Sequence, residues 1–129
     1  MTRTLTRATV TTAALAATLA LPGTAVAGDE DVTTTGACSN YGRYDLKLSP
    51  QNGRIEVEFE VDTNRRGQRY RVRLVHDGRR VHQRVYRTRG ISGSFTVRDV
   101  RPNRRGADRI RASAVLLGGG NRCGGSARF

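Results

Sequence analysis

The clearest structural pattern of the sequence lies in GRIEVEFEVDTNRRGQRYRVRLVHDG, residues 53–78. Its first half alternates acidic residues with apolar ones, which are Ile55, Val57, Phe59 and Val61. Its second half alternates arginines with Tyr70, Val72 and Leu74. This period of two predicts two strands, each with one side in a core and the other in water. The solvent-exposed side is acidic on the first strand and basic on the second.

Two turns complete this stretch. The NRRG segment at residues 64–67 separates the two strands, and Gly67 can take the left-handed conformation that such a turn requires. Asp77 and Gly78 end the stretch with a pair that tolerates positive φ at both positions, which favours a type I′ hairpin. A further strand should therefore follow directly.

The first 27 residues have the features of a secretory signal. Arg3 and Arg7 give a positive start, residues 8–21 are mostly apolar, and Ala25, Val26 and Ala27 form a small-residue cleavage pattern. We predict cleavage after Ala27 and a free, secreted extracellular protein without a membrane anchor.

The charge balance is strongly basic. Lys and Arg number 23 against 11 Asp and Glu, a net charge of +12, which falls to +10 when Arg3 and Arg7 leave with the signal. Such a chain attracts anionic partners, although arginine can also serve solubility alone. The 102 residues that remain of 129 after 27 are removed make one domain.

Cys38 and Cys123 lie near the two ends of the mature chain. In an oxidising compartment an even pair of cysteines predicts a disulfide, which would join the first and last strands. Closing so long a loop corresponds to about 4.6 kcal/mol of chain entropy. The long spacing between the two thiols argues against a zinc site.

The mature chain reads as a leader and one all-β domain. Residues 28–36 are acidic and threonine-rich, so we expect a disordered leader there and a domain over residues 37–129. Seven strands are expected, around residues 44–48, 55–61, 69–74, 81–85, 95–97, 110–116 and 123–129. Short strands separated by regular turns predict an antiparallel β-sandwich of the immunoglobulin or fibronectin type III kind. A meander with the second and third strands paired is the alternative, with Asp62 facing Arg69.

Two resemblances support the sandwich. The segments FTV (95–97), VRPN (100–103) and IRASAV (110–115) resemble the passage from the fifth to the sixth strand of fibronectin type III domains. Phe59 replaces the usual tryptophan of the second strand, and Ile110 replaces the tyrosine of the sixth. The chain from residue 53 to 123 also resembles a group of small secreted actinobacterial proteins that share GRIEVEFEVDTNRRGQR, SGSF and NRRG. That resemblance implies secretion and a sandwich fold, and it implies no catalytic residues.

No set of side chains forms a catalytic arrangement. His76 shares the inward parity of Leu74, whereas His82 shares the outward parity of the arginines around it, so the two rings should point to opposite sides of the sheet. Glu56, Glu58 and Glu60 share one side, but a flat strand offers no cleft for a substrate. We expect a non-enzymatic protein with no cofactor and no metal.

The sharper hypothesis concerns a basic surface. In an immunoglobulin-type sandwich the third, fourth and sixth strands share a sheet, so their outward residues share one side: Arg69, Arg71, Arg73, Arg80, His82, Arg84, Tyr86, Arg109 and Arg111. Neighbouring like charges destabilise a sheet, and an anionic ligand would relieve their repulsion, so a surface that keeps them is a candidate binding surface. We expect a binding module for an extracellular polyanion, such as teichoic acid, acidic polysaccharide or nucleic acid, with Tyr86 as a stacking surface.

A second hypothesis is a protein partner. In this reading the chain is a secreted protein-interaction module or inhibitor that acts through its loops, either residues 88–93 or the NRRG turns. A small-molecule carrier would need an apolar cleft, for which three Phe and no Trp leave little material.

Overall fold

The computed structural model describes residues 30–129. The predicted signal peptide lies outside this range. Within it, no helix is long and apolar enough to cross a membrane.

The described chain forms eight antiparallel strands in two sheets. The strands are β1 (Val32–Ala37), β2 (Arg43–Gln51), β3 (Arg54–Asp62), β4 (Arg69–His76), β5 (Arg79–Arg87), β6 (Ser94–Pro102), β7 (Arg109–Leu116) and β8 (Arg122–Arg128). The first sheet has the order β1-β2-β3-β6 and the second has the order β5-β4-β7-β8. The two strands of the 53–78 stretch therefore lie in different sheets. The meander is wrong, because β3 pairs with β2 and β6, while β4 pairs with β5 and β7.

The additional strand is β1, and it corrects the expected leader. Residues 32–36, which we predicted to be disordered, pair with β2 in a continuous register from Val32 opposite Leu48 to Ala37 opposite Arg43. Val32 packs against the core, and the Lys47 ammonium lies 2.7 Å from the Asp31 carboxylate. An edge strand needs few apolar residues, because its backbone hydrogen bonds and β-branched threonines are sufficient.

The alternation in the organising stretch is confirmed. Ile55, Val57, Phe59 and Val61 are fully buried on β3. They belong to the same core as the inward residues of β4, which are Tyr70, Val72, Leu74 and His76. The core therefore lies between the two sheets, and the charged positions of both strands face away from it.

The predicted hairpin turn and disulfide are both present. Asp77 and Gly78 have φ values of 47° and 82°, positive at both positions as a type I′ turn requires. Cys38, directly after β1, is bonded to Cys123 in β8. The bond joins the first sheet to the second. Beside it the Ser39 N–H donates to the Arg122 carbonyl at 2.8 Å.

A β-bulge on β5 changes which residues face outward. Leu74 lies opposite His82 and Val75 lies opposite Arg80, so Val81 has no direct partner on β4. An extra residue of this kind reverses the alternation along the strand. Arg80 remains on the outward side, but every residue of β5 after Val81 faces the side opposite to the one expected.

Candidate anion-binding face

The outward side of the second sheet carries a dense set of arginines, which we call the arginine face. Its members follow from the register, because residues directly opposite each other on neighbouring strands share a side. They are Arg69, Arg71 and Arg73 on β4, Arg80 and Arg87 on β5, Arg109 and Arg111 on β7, and Arg122 and Arg128 on β8. No carboxylate occupies an outward position of these four strands.

Six of the predicted site residues share this face. They are Arg69, Arg71, Arg73, Arg80, Arg109 and Arg111. Sequence reasoning missed Arg87, Arg122 and Arg128. The inward position of Cys123 could have indicated the two on β8, because alternation from a buried disulfide places Arg122 and Arg128 outward.

The predicted positions of Arg84, Tyr86 and His82 are wrong. Arg84 lies opposite the buried Val72, and Tyr86 lies opposite the buried Tyr70. All three residues are therefore on the inner side of β5, because the bulge at Val81 reverses the alternation. Tyr86 is not a stacking platform on the arginine face.

Tyr86 instead belongs to an aromatic cluster at the side of the sandwich. Its ring stacks on Phe95 of β6 with 5.5 Å between the ring centroids, and its hydroxyl lies 3.0 Å from His82 Nε2. The Arg84 guanidinium carbon is 5.7 Å from the centre of the same ring. These contacts give the three residues a packing role.

Gln83 organises the part of the arginine face that lies on β4 and β5. Its Oε1 accepts hydrogen bonds from Arg73 Nε at 2.8 Å and from Arg80 Nη1 at 2.9 Å. A neutral amide thus positions two guanidinium groups without neutralising their charge. Asp77, in the turn after β4, has one carboxylate oxygen committed to the backbone N–H of Arg109 at 2.8 Å.

Two shallow hollows lie on the arginine face and share Arg111. The larger, about 480 Å³, covers β7 and β8 and is lined by Arg111, Ser113, Arg122, Gly124 and Ser126 together with residues of the neighbouring edge. The smaller, about 380 Å³, lies at the end of the β4–β5 hairpin and is lined by Val75, Gly78, Arg109 and Arg111. Anionic groups could be held in either hollow by guanidinium forks.

The outward side of the first sheet differs in charge. Its β3 positions carry Glu56, Glu58, Glu60 and Asp62, as predicted. Basic residues on neighbouring strands pair with acids here: Arg98 Nε donates to Glu58 at 2.9 Å. The domain therefore has one side where acidic and basic residues are mixed and three basic residues are paired with acids, and one side whose charged residues are all arginines.

His76, Asp77 and Asp108 form the one cluster of three potential metal ligands in the described chain. His76 is inward and buried, as predicted, and its Nε2 lies 2.5 Å from Asp108 Oδ1. That separation is a hydrogen bond, whereas two ligands about 2.0 Å from a shared zinc ion would stand farther apart. Asp108 Oδ2 also accepts the Arg104 N–H at 2.9 Å. The cluster connects the end of β4 to the loop before β7.

At the end of the sandwich opposite to His76 and Asp108, the loop at residues 63–67 and the loop at residues 88–93 are hydrogen-bonded to each other. Thr63 Oγ1 donates to the Gly93 carbonyl at 2.9 Å, and the Asn64 N–H donates to the Ser92 carbonyl at 2.7 Å. At Gly93 a β-carbon would come within 2.4 Å of the Arg65 backbone nitrogen. The loop at residues 88–93 is therefore packed against the NRRG turn, and the side chain of Ile91 on it is 94% exposed.

No family model matches the sequence, and no curated protein or solved structure matches it either.

Proposed function

We propose that this protein is a secreted, non-enzymatic binding module for an extracellular polyanion, which it holds on the arginine face. The observation that carries the proposal is the segregation of charge between the two sheets. Nine arginines occupy outward strand positions of the second sheet without a carboxylate among them. Ion pairing with the protein's own acids is therefore largely confined to the other side.

The energetics support this assignment. Directly opposed like charges such as Arg69 and Arg87, or Arg109 and Arg128, destabilise a sheet. A polymer with regularly spaced phosphate, sulfate or carboxylate groups would relieve that repulsion. Strands about 4.8 Å apart, with like-facing residues about 6.8 Å apart along each strand, bring arginines of neighbouring strands close enough to contact successive anionic groups of one polymer.

Secretion and the finer fold are parts of the same proposal. The signal-like residues 1–27 and a disulfide, which suits an oxidising extracellular environment, support secretion. For the fold we infer an immunoglobulin or fibronectin type III kind of sandwich with β1 added at one edge. Counted from β2, the third, fourth and sixth strands are β4, β5 and β7, and these share the second sheet as such a sandwich requires.

The test is retention on immobilised heparin, DNA and teichoic acid across a salt gradient. The purified protein is compared with a triple variant of the arginine face, Arg71→Ser, Arg73→Ser and Arg111→Ser. The matched control removes the same charge from the outward side of the first sheet, through Arg43→Ser, Arg54→Ser and Arg98→Ser. For a phosphate polymer, each lost contact should lower the slope of log affinity against log salt by about one.

Binding of the polyanion by the arginine face is supported if the triple variant elutes at much lower salt than the control variant. Equal elution of the two variants would overturn this proposal, because net charge alone would then explain retention.

A second function is favoured by Ile91. The side chain of Ile91 is 94% exposed, and the next two residues, Ser92 and Gly93, accept hydrogen bonds from the backbone of Asn64 and Thr63. A loop held in this way lowers the entropic cost of inserting the isoleucine into an apolar pocket of a partner. The chain would then be a protein-interaction module or inhibitor that acts through residues 88–93. Binding to proteins of the culture medium that is lost with Ile91→Asp and retained by the triple arginine variant would favour this function over polyanion binding.

A further inference from the structure

The larger hollow of the arginine face has a floor of unusually small residues. Ser113 of β7 lies directly opposite Gly124 of β8, and one row away Arg111 lies opposite Ser126. At Gly124 an added β-carbon would come within 2.4 Å of the Ala112 carbonyl oxygen, so only glycine fits without a shift of the backbone. The floor is therefore kept low by the packing of β8 on β7.

Arginines surround this floor. Arg73 lies directly opposite Ser113 on the β4 side. Arg111 is two residues before Ser113 on the same strand, and Arg122 is two residues before Gly124. Neighbouring positions of a sheet are about 5 to 7 Å apart, so the long side chains of Arg111 and Arg122, which line the hollow, can reach over the floor.

The backbone beside the hollow is fixed, whereas Arg73 is engaged elsewhere. Arg73 Nε donates to Gln83 Oε1 at 2.8 Å, which directs its guanidinium towards β5 and leaves the floor to Arg111 and Arg122. The backbone of Arg122 is fixed at both polar groups, because its N–H donates to Ser39 Oγ at 2.9 Å and its carbonyl accepts the Ser39 N–H at 2.8 Å. The surroundings of the floor are thus partly organised before any ligand binds, which lowers the entropic cost of binding.

The hydrogen-bond donors around the floor favour a tetrahedral anion over a planar carboxylate. Arg111 of β7 and Arg122 of β8 line the hollow together with Ser113 and Ser126, so guanidinium and hydroxyl donors from two strands surround the same space. A carboxylate presents two oxygens in one plane. A phosphate or sulfate ester presents oxygens in several directions and can accept from donors on more than one side.

We propose that the hollow over Ser113 and Gly124 is a subsite for one tetrahedral oxyanion, a phosphate or sulfate ester, bound by Arg111 and Arg122 together with the hydroxyl groups of Ser113 and Ser126. The subsite rests on the proposed polyanion function and gives it a chemical preference. Polymers with phosphate or sulfate esters bind in preference to polymers with carboxylates alone.

The first experiment titrates the full protein with inorganic phosphate, sulfate and acetate and follows the backbone amide signals by NMR. Phosphate and sulfate should produce saturable shifts at Ser113 and Gly124, whereas acetate should produce smaller ones. Ser113→Leu raises the floor without changing the charge and should weaken phosphate binding by about tenfold, the equivalent of losing one hydrogen bond to a charged group. Thr96→Leu, at an outward position of the first sheet, is the matched control.

A second variant, Arg111→Gln, is compared with Arg54→Gln as its control. This comparison tests phosphate binding at the subsite if Ser113→Leu does not fold. Phosphate shifts that are absent, or spread evenly over the arginine face, would overturn the subsite.

The second experiment measures retention of the same variants on DNA, heparin and polygalacturonate, which carry phosphate, sulfate and carboxylate groups. Stronger retention on the first two that falls with Ser113→Leu supports the subsite, and the two columns distinguish phosphate from sulfate. Retention that depends on the arginines but is unchanged by Ser113→Leu overturns the subsite and leaves the proposed function intact. Phosphate binding at Ser113 without retention of any polymer supports the subsite and overturns the proposed function.

Discussion

Val72 of β4 lies directly opposite Arg84 of β5, and Val72 is fully buried. Arg84 is therefore on the other side of the sheet from its neighbours in space, Arg71 and Arg73. The three arginines contribute equally to the net charge, but only Arg71 and Arg73 lie on the arginine face.

The first prediction uses this difference. Arg84→Ser should leave retention on DNA almost unchanged, because its side chain lies beside Tyr86 on the inner side of β5. Arg73→Ser should lower the salt slope by about one. Both variants lose one positive charge, so salt-gradient elution compares them directly. An equal loss in the two would show that the face as defined by the register does not bind the polymer.

A second prediction concerns the buried contact between His76 and Asp108. Asp108→Ala leaves His76 Nε2 and the Arg104 N–H without their acceptor, and should lower the free energy of unfolding by about 2 to 4 kcal/mol. Urea denaturation measures the change. Adding His76→Leu to Asp108→Ala removes one of the unpaired groups and should cost less than the sum of the single changes. Additive losses would show that the two side chains do not interact energetically.

A third prediction concerns stability at high pH. Burial raises the pKa of Tyr70 to about 12 from an ordinary value of 10.0, although Asn121 Nδ2 donates to its hydroxyl oxygen. The unfolded chain therefore releases a proton that the folded chain retains. The stabilisation is complete below about pH 10 and is lost as the pH rises towards about 12, by up to about 1.4 kcal/mol per pH unit.

Tyr70→Phe is the control for that prediction. It removes the hydroxyl group and should flatten this part of the pH profile, although it also removes the hydrogen bond from Asn121 and lowers stability at every pH. Urea denaturation at a series of alkaline pH values measures both proteins. Parallel profiles would show that another group controls the alkaline loss of stability.

The fourth prediction concerns the disulfide. Replacing Cys38 and Cys123 together with Ala should lower the free energy of unfolding by roughly 3 to 5 kcal/mol, because the bond closes a loop with a sequence separation of 85. Chemical reduction of the native protein should give a similar loss. A change below about 1 kcal/mol would mean that the polar contacts around Ser39 and Asn121 hold the ends together without the bond.

Much of the fold could be predicted because its signals are local. The alternation around Phe59 and Val72 identified both buried sides, and the Asp77-Gly78 pair identified the hairpin with its two positive φ values. The cysteine pair was predicted correctly because two cysteines in an oxidising compartment have one way to bond. The outward positions of six candidate arginines were predicted correctly, because β4 and β7 keep a regular alternation and Arg80 precedes the bulge on β5.

The misplaced residues lie where a local pattern does not decide the geometry. Val81 and Val85 have the same spacing as inward residues of a regular strand, yet Val85 is 43% exposed because the bulge reverses the side chains after Val81. The threonines of β1 have the composition of a disordered leader, and they are ordered by backbone hydrogen bonds to β2.

The period of two along the chain was thus enough to identify the all-β class, most of the strands and the residues of the core. A strand that buries every second side chain alternates apolar and polar residues, and this alternation is visible in the sequence. Strand pairing alone places β1 in the first sheet, removes Arg84 and Tyr86 from the arginine face, and brings Arg111 and Arg122 to the hollow over Ser113 and Gly124. Each of these depends on the register between paired strands, which is set by hydrogen bonds between the strands and by packing between the sheets, and which the pattern of one strand does not contain.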